Sequence, residues 1–343
     1  MDVWREPVRG GHPGPELERL SGIELLQAQL AGRHFPRPPL AHLTGLKLVE
    51  VERGNVVFEM PLTRWLLSPQ GAISIGPLVI PADAALALAI LSTLPAGTAL
   101  TTSELSLRLL APARPEGRVI ARASLLHARR TIGLSEATVT DEHGRVLAHG
   151  TSLCFILDQP PPSLPAPAEP AEAIDDSPDP WRREPEGEVI GQEVWDQLSG
   201  LEVVQRQIAG QLPRPPIHHL MGVAARSVAE GEATFSLPAT RWLCAPPPGR
   251  LQGGVVATLA ESALSTAIQT TLPPATALAP IDLKVNFLRP AAPDGRDLIA
   301  VGRIAHRGRR LAVANSEVLD ADGRRIALAT GSAMVLPGRP AAL

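Results

Sequence analysis

Tyrosine is absent from the 343-residue chain, lysine occurs only at Lys47 and Lys284, and cysteine only at Cys154 and Cys244. Neither cysteine has a CxxC neighbour or a histidine cluster at ligand spacing, which excludes a disulfide framework and a zinc site, and no cofactor is expected. A charge excess is also missing. The net charge of −3 excludes a dedicated nucleic-acid binder, which would carry a strong basic surplus. The segment Met1 to Gly11 is polar and mixed in charge, with no apolar stretch of the signal-peptide kind, so a cytoplasmic protein is expected. The shortage of tyrosine and lysine, against abundant Ala, Arg and Pro, reads as the product of a GC-rich bacterial genome.

Charge is scarce locally as well. From Ile73 to Leu100 the only charged residue is Asp83. The run is long enough to suggest a membrane span, but Pro77, Pro81 and Pro95 interrupt it and an equivalent run recurs later with Ser and Thr. A helix apolar on every side and buried in a protein core explains it better. At 44% hydrophobic and 20% charged, the chain can bury sizeable cores, and its length has room for two domains.

What is present is a repeat. Gly22-Ile-Glu-Leu-Leu-Gln-Ala-Gln-Leu-Ala-Gly32 matches Gly200-Leu-Glu-Val-Val-Gln-Arg-Gln-Ile-Ala-Gly210. Arg37-Pro-Pro recurs as Arg214-Pro-Pro, and His42-Leu43 as His219-Leu220. Thr63-Arg-Trp-Leu66 recurs as Thr240-Arg-Trp-Leu243, Thr93-Leu-Pro95 as Thr271-Leu-Pro273, and Trp4 as Trp181. The offset is 177 or 178 throughout, so the copies differ by very few insertions. We divide the chain into an N-terminal domain over 1–157, a proline-rich linker with a second lead-in over 158–190, and a C-terminal domain over 191–343. The linker, Asp158 to Pro180, should be extended and solvated.

Each copy reads alike. An amphipathic helix is expected over Pro15 to Ala31 and over Glu193 to Ala209. Two short strands follow, near Leu46–Val51 and Val56–Met60, then Ala224–Val228 and Ala233–Leu237. The long apolar helix should span Pro77 to Leu94 and Gly254 to Leu272. Three or four strands finish each copy, such as Val119–Leu126 and Leu311–Leu319, with hairpin turns at Asp141-Glu-His-Gly144 and Asp320-Ala-Asp-Gly323. One apolar helix with about five antiparallel strands is an α+β layer arrangement, the sheet curling round the helix.

Asp83 and Glu261 stand 178 residues apart, each the only charge on its apolar helix. Burying a carboxylate is costly unless it is hydrogen-bonded, paired or protonated, so its recurrence points either to a general base or nucleophile or to a structural bridge between copies. Gln252-Gly253-Gly254 opens the second helix. Glycine there lets a ligand approach the free N–H groups at the positive end of the helix, which suits an oxyanion hole for acyl transfer; a plain tight turn is the simpler reading.

Gln252-Gly-Gly with Glu261 seven positions after Gly254 resembles the hotdog-fold acyl-CoA thioesterases of the phenylacetate-pathway (PaaI-like) type, as do the Asp282-Leu283 to Arg289-Pro290 strand and the Gly-Arg-Arg segment with its Asp-x-x-Gly hairpin. Gly76 likewise lies seven positions before Asp83, and the resemblance covers about residues 22–157 and 200–336. It implies two hotdog domains, each an antiparallel sheet wrapped around a long apolar helix, fused as a pseudo-dimer with active sites shared between the copies. One site would join Gln252, Gly253 and Gly254 to Asp83, with Thr102 or Thr101 as hydroxyl helper. The other would join Ser74, Ile75 and Gly76 to Glu261, with Ala279 and Pro280 in the helper's place. The chain departs from the family pattern where His-Gly-Gly has become Gln-Gly-Gly and Ser-Ile-Gly-Pro, and where the upstream Asn has become Ser68 and Pro246. The second site therefore reads as degenerate.

The implied chemistry is metal-free thioester hydrolysis, with Gly253 N–H holding the carbonyl oxygen and Asp83 activating water or attacking directly. No Ser-His-Asp or Cys-His set with a nucleophile elbow is visible. Arg129, Arg130, Arg307 and Arg309 fall in matching turns, read either as solvated or as contacts to the phosphates of an acyl-CoA substrate. His42 and His219 read as structural, and the Arg64-Trp65 and Arg241-Trp242 pairs as packing beside the core helix. A non-catalytic acyl-thioester-binding or scaffold protein is the alternative; a hydratase lacks its expected His–Asp pair. Partners other than substrate are not expected on nucleic acid or membrane, and pairing of the fused dimer into a homodimer is a reading by analogy.

Overall fold

The structure, a computed structural model, describes residues 2–12, 19–32, 36–158, 177–246 and 249–342. The first copy comprises α1 (Gly22–Leu30), α2 (Pro39–Thr44), β1 (Lys47–Glu52), β2 (Asn55–Pro61), α3 (Ile75–Leu91), β3 (Ala99–Leu109), β4 (Arg118–Ala128), β5 (Ile132–Asp141) and β6 (Val146–Leu157). The second comprises α4 (Gln192–Gln197), α5 (Gly200–Ile208), α6 (Pro216–Met221), β7 (Ala224–Ala229), β8 (Glu232–Pro238), α7 (Gly253–Gln269), β9 (Thr276–Phe287), β10 (Asp297–Arg307), β11 (Leu311–Leu319) and β12 (Arg325–Pro337). Six strands per copy, the upper end of the expected count, form one antiparallel sheet of twelve in the order β1-β2-β4-β5-β6-β3-β9-β12-β11-β10-β8-β7.

α3 packs on β2, β4, β5 and β6, and α7 on β8, β10, β11 and β12, so each half-sheet wraps its own apolar helix. Both helices are buried along nearly their whole length, which accounts for their lack of charge. No helix among the described residues is long and apolar enough to cross a membrane. The two core helices also pack on each other, and most buried side chains of both copies form one continuous core, beside a small separate cluster of Ile190, Trp195, Val203 and Ala341.

β3 and β9 join the halves. Ser106 pairs with Lys284, its own counterpart 178 residues on (284 − 106), so a pseudo-twofold axis passes between them. Glu6 and Arg183, 177 apart, meet in an ion pair of 2.8 Å and mark the axis again. These contacts show an exchange that the repeat alone did not disclose. The first copy's lead-in lies on the second copy: His219 Nδ1 contacts Asp2 Oδ1 at 2.8 Å, and the Trp242 indole donates to the Glu6 carbonyl at 3.0 Å. The second lead-in lies on the first copy: His42 Nδ1 contacts Asp179 Oδ1 at 2.8 Å, and Trp65 donates to the Arg183 carbonyl at 2.9 Å. Trp65 and Trp242 are themselves fully buried. α2 and α6 each end on a glycine, Gly45 at φ 79° and Gly222 at φ 83°, a left-handed conformation that glycine adopts without strain. The arm tryptophans lie against these ends: a Cβ on Gly45 would come within 3.1 Å of Trp181, and one on Gly222 within 3.1 Å of Trp4.

Several boundaries differ from expectation. α1 starts at Gly22, where Ser21 and Glu24 form a capping box; residues 15–18 of the expected helix lie outside the described residues. The helix expected over Glu193 to Ala209 is two helices, because Ser199 caps α5 with Glu202 as its box partner and so ends α4 at Gln197. α3 begins at Ile75, so Pro77 sits in its first turn, where its missing N–H costs nothing, while Pro81 lies inside and leaves the Pro77 carbonyl without its helical donor. The hairpin turns stand where expected, with Gly144 at φ 84° and Gly323 at φ 76°. The linker expected over Asp158 to Pro180 lies outside the described residues apart from its ends, Asp158 and 177–180.

Candidate active site

Asp83 lies on the third turn of α3, directed at the N-terminus of α7. It is 5% exposed, and its Oδ2 accepts from Gly254 N at 3.1 Å and from Gln252 Nε2 at 2.9 Å. Gln252 is the N-cap of α7: its Oε1 accepts from Val255 N at 3.2 Å, so the amide's orientation is fixed and its Nε2 faces two acceptors, Asp83 and the Ile80 carbonyl at 3.0 Å. Both protons of the amide are therefore in use. Gln252 positions the carboxylate and has no donor left for a substrate.

Thr102 reaches the other carboxylate oxygen, its Oγ1 3.5 Å from Asp83 Oδ1, a loose contact that leaves Oδ1 available to a further donor. A register shift between Thr102 and Glu104 forms a bulge in β3, the kind of irregularity that re-aims a side chain. Gly253 N–H, at the first position of α7, has no partner among the described residues, and Gly253 lines the same cavity as Asp83. The two glycines are sterically required. A Cβ on Gly253 would stand 2.9 Å from Asp83 Oδ2, and one on Gly254 would stand 2.7 Å from the Ile80 Cα.

Burial raises the Asp83 carboxyl to about 6, against the opposing pull of the Gly254 and Thr102 hydrogen bonds. Cys154 lies beneath, its Sγ 3.9 Å from Thr102 Oγ1; burial pushes this thiol up to about 11, which keeps it protonated and unreactive as a nucleophile at neutral pH. Cys244 is pushed up in the same way, to about 12.

The cavity around Asp83 has a volume of about 1210 Å³. Its lining includes α3 residues from Asp83 to Leu91 and the apolar side chains Leu25, Leu26, Leu30 and Leu88. The lining also includes cations, among them Arg118, Arg182, Arg250 and Arg289.

The Glu261 position differs. Glu261 is 3% exposed and its burial raises its carboxyl above the ordinary range, but both oxygens are taken: Oε1 by the Ser265 hydroxyl at 2.8 Å and Oε2 by the Ser74 hydroxyl at 3.1 Å. Pro280 stands where Thr102 stands in the first copy, and neither Ile75 nor Gly76 lines the cavity. That cavity measures about 280 Å³, and Trp195 and Ala341 lie on it. Ser265, four residues beyond Glu261 on the same helix face, is a partner that the spacing could have disclosed.

Thus the structure brings Asp83, Thr102, Gln252, Gly253 and Gly254 together, and places Glu261 with Ser74 in a separate pocket. It does not bring the four arginines to either. Arg129, Arg130 and Arg309 are exposed on turns and Arg307 is exposed at the end of β10; none lines either cavity, and Arg307 is held by the Thr271 hydroxyl at 3.2 Å and by the Gly308 carbonyl. Arg182 and Arg250, which do line the main cavity, went unnoticed; the match of Trp4-Arg5 with Trp181-Arg182 was the available signal.

A buried carboxylate of the first copy thus meets the N-terminus of the second copy's core helix. The family model of the Thioesterase superfamily matches residues 73–148 and 248–327, one segment in each copy. The protein named "putative esterase" in Halobacterium salinarum is 33% identical over 122 residues, covering 33% of this chain and 79% of that one. A tesB protein of Mycobacterium avium subsp. paratuberculosis has a similar fold (TM-score 0.51, 16% identity, 92% of this chain and 100% of that chain). So do acyl-CoA thioesterase II TesB2 of Mycobacterium marinum (0.51, 12%, 87% and 98%) and a hot dog fold protein of Alicyclobacillus acidocaldarius (0.51, 15%, 84% and 95%). The chain belongs to the thioesterase superfamily, as a thioester hydrolase of tandem hotdog fold.

Proposed function

We propose that the protein hydrolyses acyl-CoA thioesters at one composite site, with the base from the first copy and the oxyanion donor from the second. The observation that carries this reading is the Gly253 N–H, without a partner among the described residues at the positive end of α7, in a residue that lines the cavity containing Asp83. The substrate carbonyl oxygen accepts from this N–H. The acyl chain lies against the α3 residues that line the cavity, which extend eight residues beyond Asp83 to Leu91, about 12 Å of helix. Asp83 Oδ1 and the Thr102 hydroxyl hold a water, and Asp83 takes its proton as the oxygen adds to the carbonyl carbon. The C–S bond then breaks and the proton passes to the leaving thiolate, giving a carboxylic acid and a free thiol.

A general base works best when its pKa lies near the working pH, and burial brings Asp83 there. The base must be ionised, so kcat/KM should rise with pH through an inflection at about 6 and level off above 7. Thiol release from a panel of short, medium and aryl acyl-CoAs, followed from pH 5 to pH 8, tests the reading. Turnover with that rising limb supports it. Absence of thiol release from every acyl-CoA, with acyl-CoA still bound, would instead make the chain a binding protein.

A further inference from the structure

The two core helices differ in a patterned way. Aligned at the offset of 178, the residues that follow Asp83 on α3 and Glu261 on α7 fall into two groups. The positions that line neither cavity are identical: Ala85 and Ala263, Leu86 and Leu264, Ala89 and Ala267, Ile90 and Ile268. The positions that line a cavity all differ, and in one direction. Ala84, Ala87, Leu88 and Leu91 on the main cavity correspond to Ser262, Ser265, Thr266 and Gln269 on the second. Their spacing, i, i+3, i+4 and i+7, is one face of a helix. A neighbouring helix repeats the change: Ala41 of α2 lines the main cavity, and its counterpart 177 residues on, His218 of α6, lines the second. Packing against sheets of the same form accounts for the identical set. It does not account for exchanges that each add a hydrogen-bonding group to a cavity wall.

The bonding of these groups shows what the wall offers. Ser262 donates to the Thr258 carbonyl at 2.9 Å and Ser265 to Glu261 Oε1 at 2.8 Å, so both hydroxyls are left with acceptor lone pairs. The Thr266 hydroxyl, the Gln269 amide and the His218 ring make no hydrogen bond among the described residues, and their polar atoms are not sealed from solvent. Gln269 is only 4% exposed, so a nearly buried amide is left unanswered, which is uncommon in a folded chain. Burial, with Arg214 and His219 nearby, lowers His218 to about 3, so its neutral ring has one donor and one acceptor nitrogen. No arginine or lysine lines this cavity, and both Glu261 oxygens already accept from serines.

An anion therefore finds no cation here. An ammonium group only donates and a ketone only accepts, whereas this wall calls for both; hydroxyl groups do both. The 280 Å³ cavity has room for about nine non-hydrogen atoms at the ~30 Å³ share of a water molecule. We propose that the second cavity is a binding site for a small uncharged polyol, with Ser262, Ser265, Thr266 and Gln269 of α7 as its polar wall. The fused chain then carries two sites of opposite character, one with an apolar helix face beside Asp83 and one with a polar face beside Glu261. Glu261 serves the second by fixing the directions of the Ser74 and Ser265 hydroxyls. The proposal does not depend on what the main cavity hydrolyses.

The test uses the full chain and ligand-observed saturation-transfer NMR with erythritol and xylitol, with thermal unfolding to confirm that each variant is folded. Both polyols are expected to bind the wild type. Thr266→Leu and Gln269→Leu place the first copy's residue at the matching position, and each should raise the Kd of the tighter polyol about tenfold. The same variants should bind hexan-1-ol more tightly than the wild type does. Ser262→Ala, a smaller change, should raise the polyol Kd about threefold and keeps the test available if the leucine variants do not fold. No saturation transfer to either polyol from the wild type, or a Kd unchanged in every folded variant, overturns the proposal. So does hexan-1-ol binding more tightly to the wild type than to the leucine variants.

Discussion

Replacing Asp83 by Asn is expected to reduce thiol release by roughly 10²–10⁴-fold while leaving the fold intact or firmer at neutral pH. The two effects have separate causes. Asn keeps an oxygen that can accept from Gly254 N and Gln252 Nε2, so the contact between the copies survives. It cannot take a proton from water, so the base is gone. The stability effect follows from the carboxyl's raised pKa. Its ordinary value is 3.8 and its folded value about 6, so between these the folded chain holds more protons than the unfolded one. Stability from this group is fully present below 3.8 and is lost as pH rises through 6. Above that window the wild type carries a cost on the order of 3 kcal/mol, which Asn removes. Thermal unfolding at pH 7.5 should show Asp83→Asn melting no lower than the wild type, with the difference shrinking or reversing at pH 4. A variant that melts well below the wild type at pH 7.5 would show that the carboxylate is held for stability.

Exchanging Gln252 for Glu should produce the second large effect. The glutamine Nε2 stands 2.9 Å from Asp83 Oδ2, so glutamate there puts two carboxylates in contact within a buried site. Like charges at that distance do not both ionise at neutral pH, and the pair holds one proton between them. The Ile80 carbonyl, also bound by Gln252, favours a protonated glutamate as its donor but loses it once both groups ionise. At pH 7 the rate should fall by about 10²-fold. The rising limb of the pH profile should move from about 6 to higher pH by one unit or more, with activity partly returning at pH 8–9. A limb that stays at about 6 would mean that Gln252 does not touch the catalytic carboxylate.

Much of this arrangement was legible in the sequence, and the reasons differ by element. The core helices were visible because burial on all sides demands a run with almost no charge, so Asp83 and Glu261 stood out against it. The second half of each copy followed from alternation and from Asp-x-x-Gly turns, whose glycines have the positive φ expected. The break between α4 and α5 was missed because apolar periodicity continues across it, while the break itself depends on one Ser199 cap. The exchange of arms was not legible. A repeat at a single offset is equally compatible with each lead-in lying on its own copy or on the other, and only the three-dimensional contacts decide. The distinction between the two carboxylates was legible in part: Pro280 in the place of Thr102 showed a missing hydroxyl, whereas the capture of both Glu261 oxygens by Ser74 and Ser265 depends on side-chain directions.

The central claim is that one carboxylate works and the other is structural, and Glu261→Gln tests it most directly. The substituted amide can still accept from one serine and donate to the other, so the contact persists without charge. The account predicts that kcat for acyl-CoA hydrolysis by Glu261→Gln stays within about twofold of the wild type, because Asp83, Thr102 and Gly253 lie in the other cavity. A loss of two orders of magnitude or more in kcat, with the chain folded, would contradict it and move the chemistry to the second pocket.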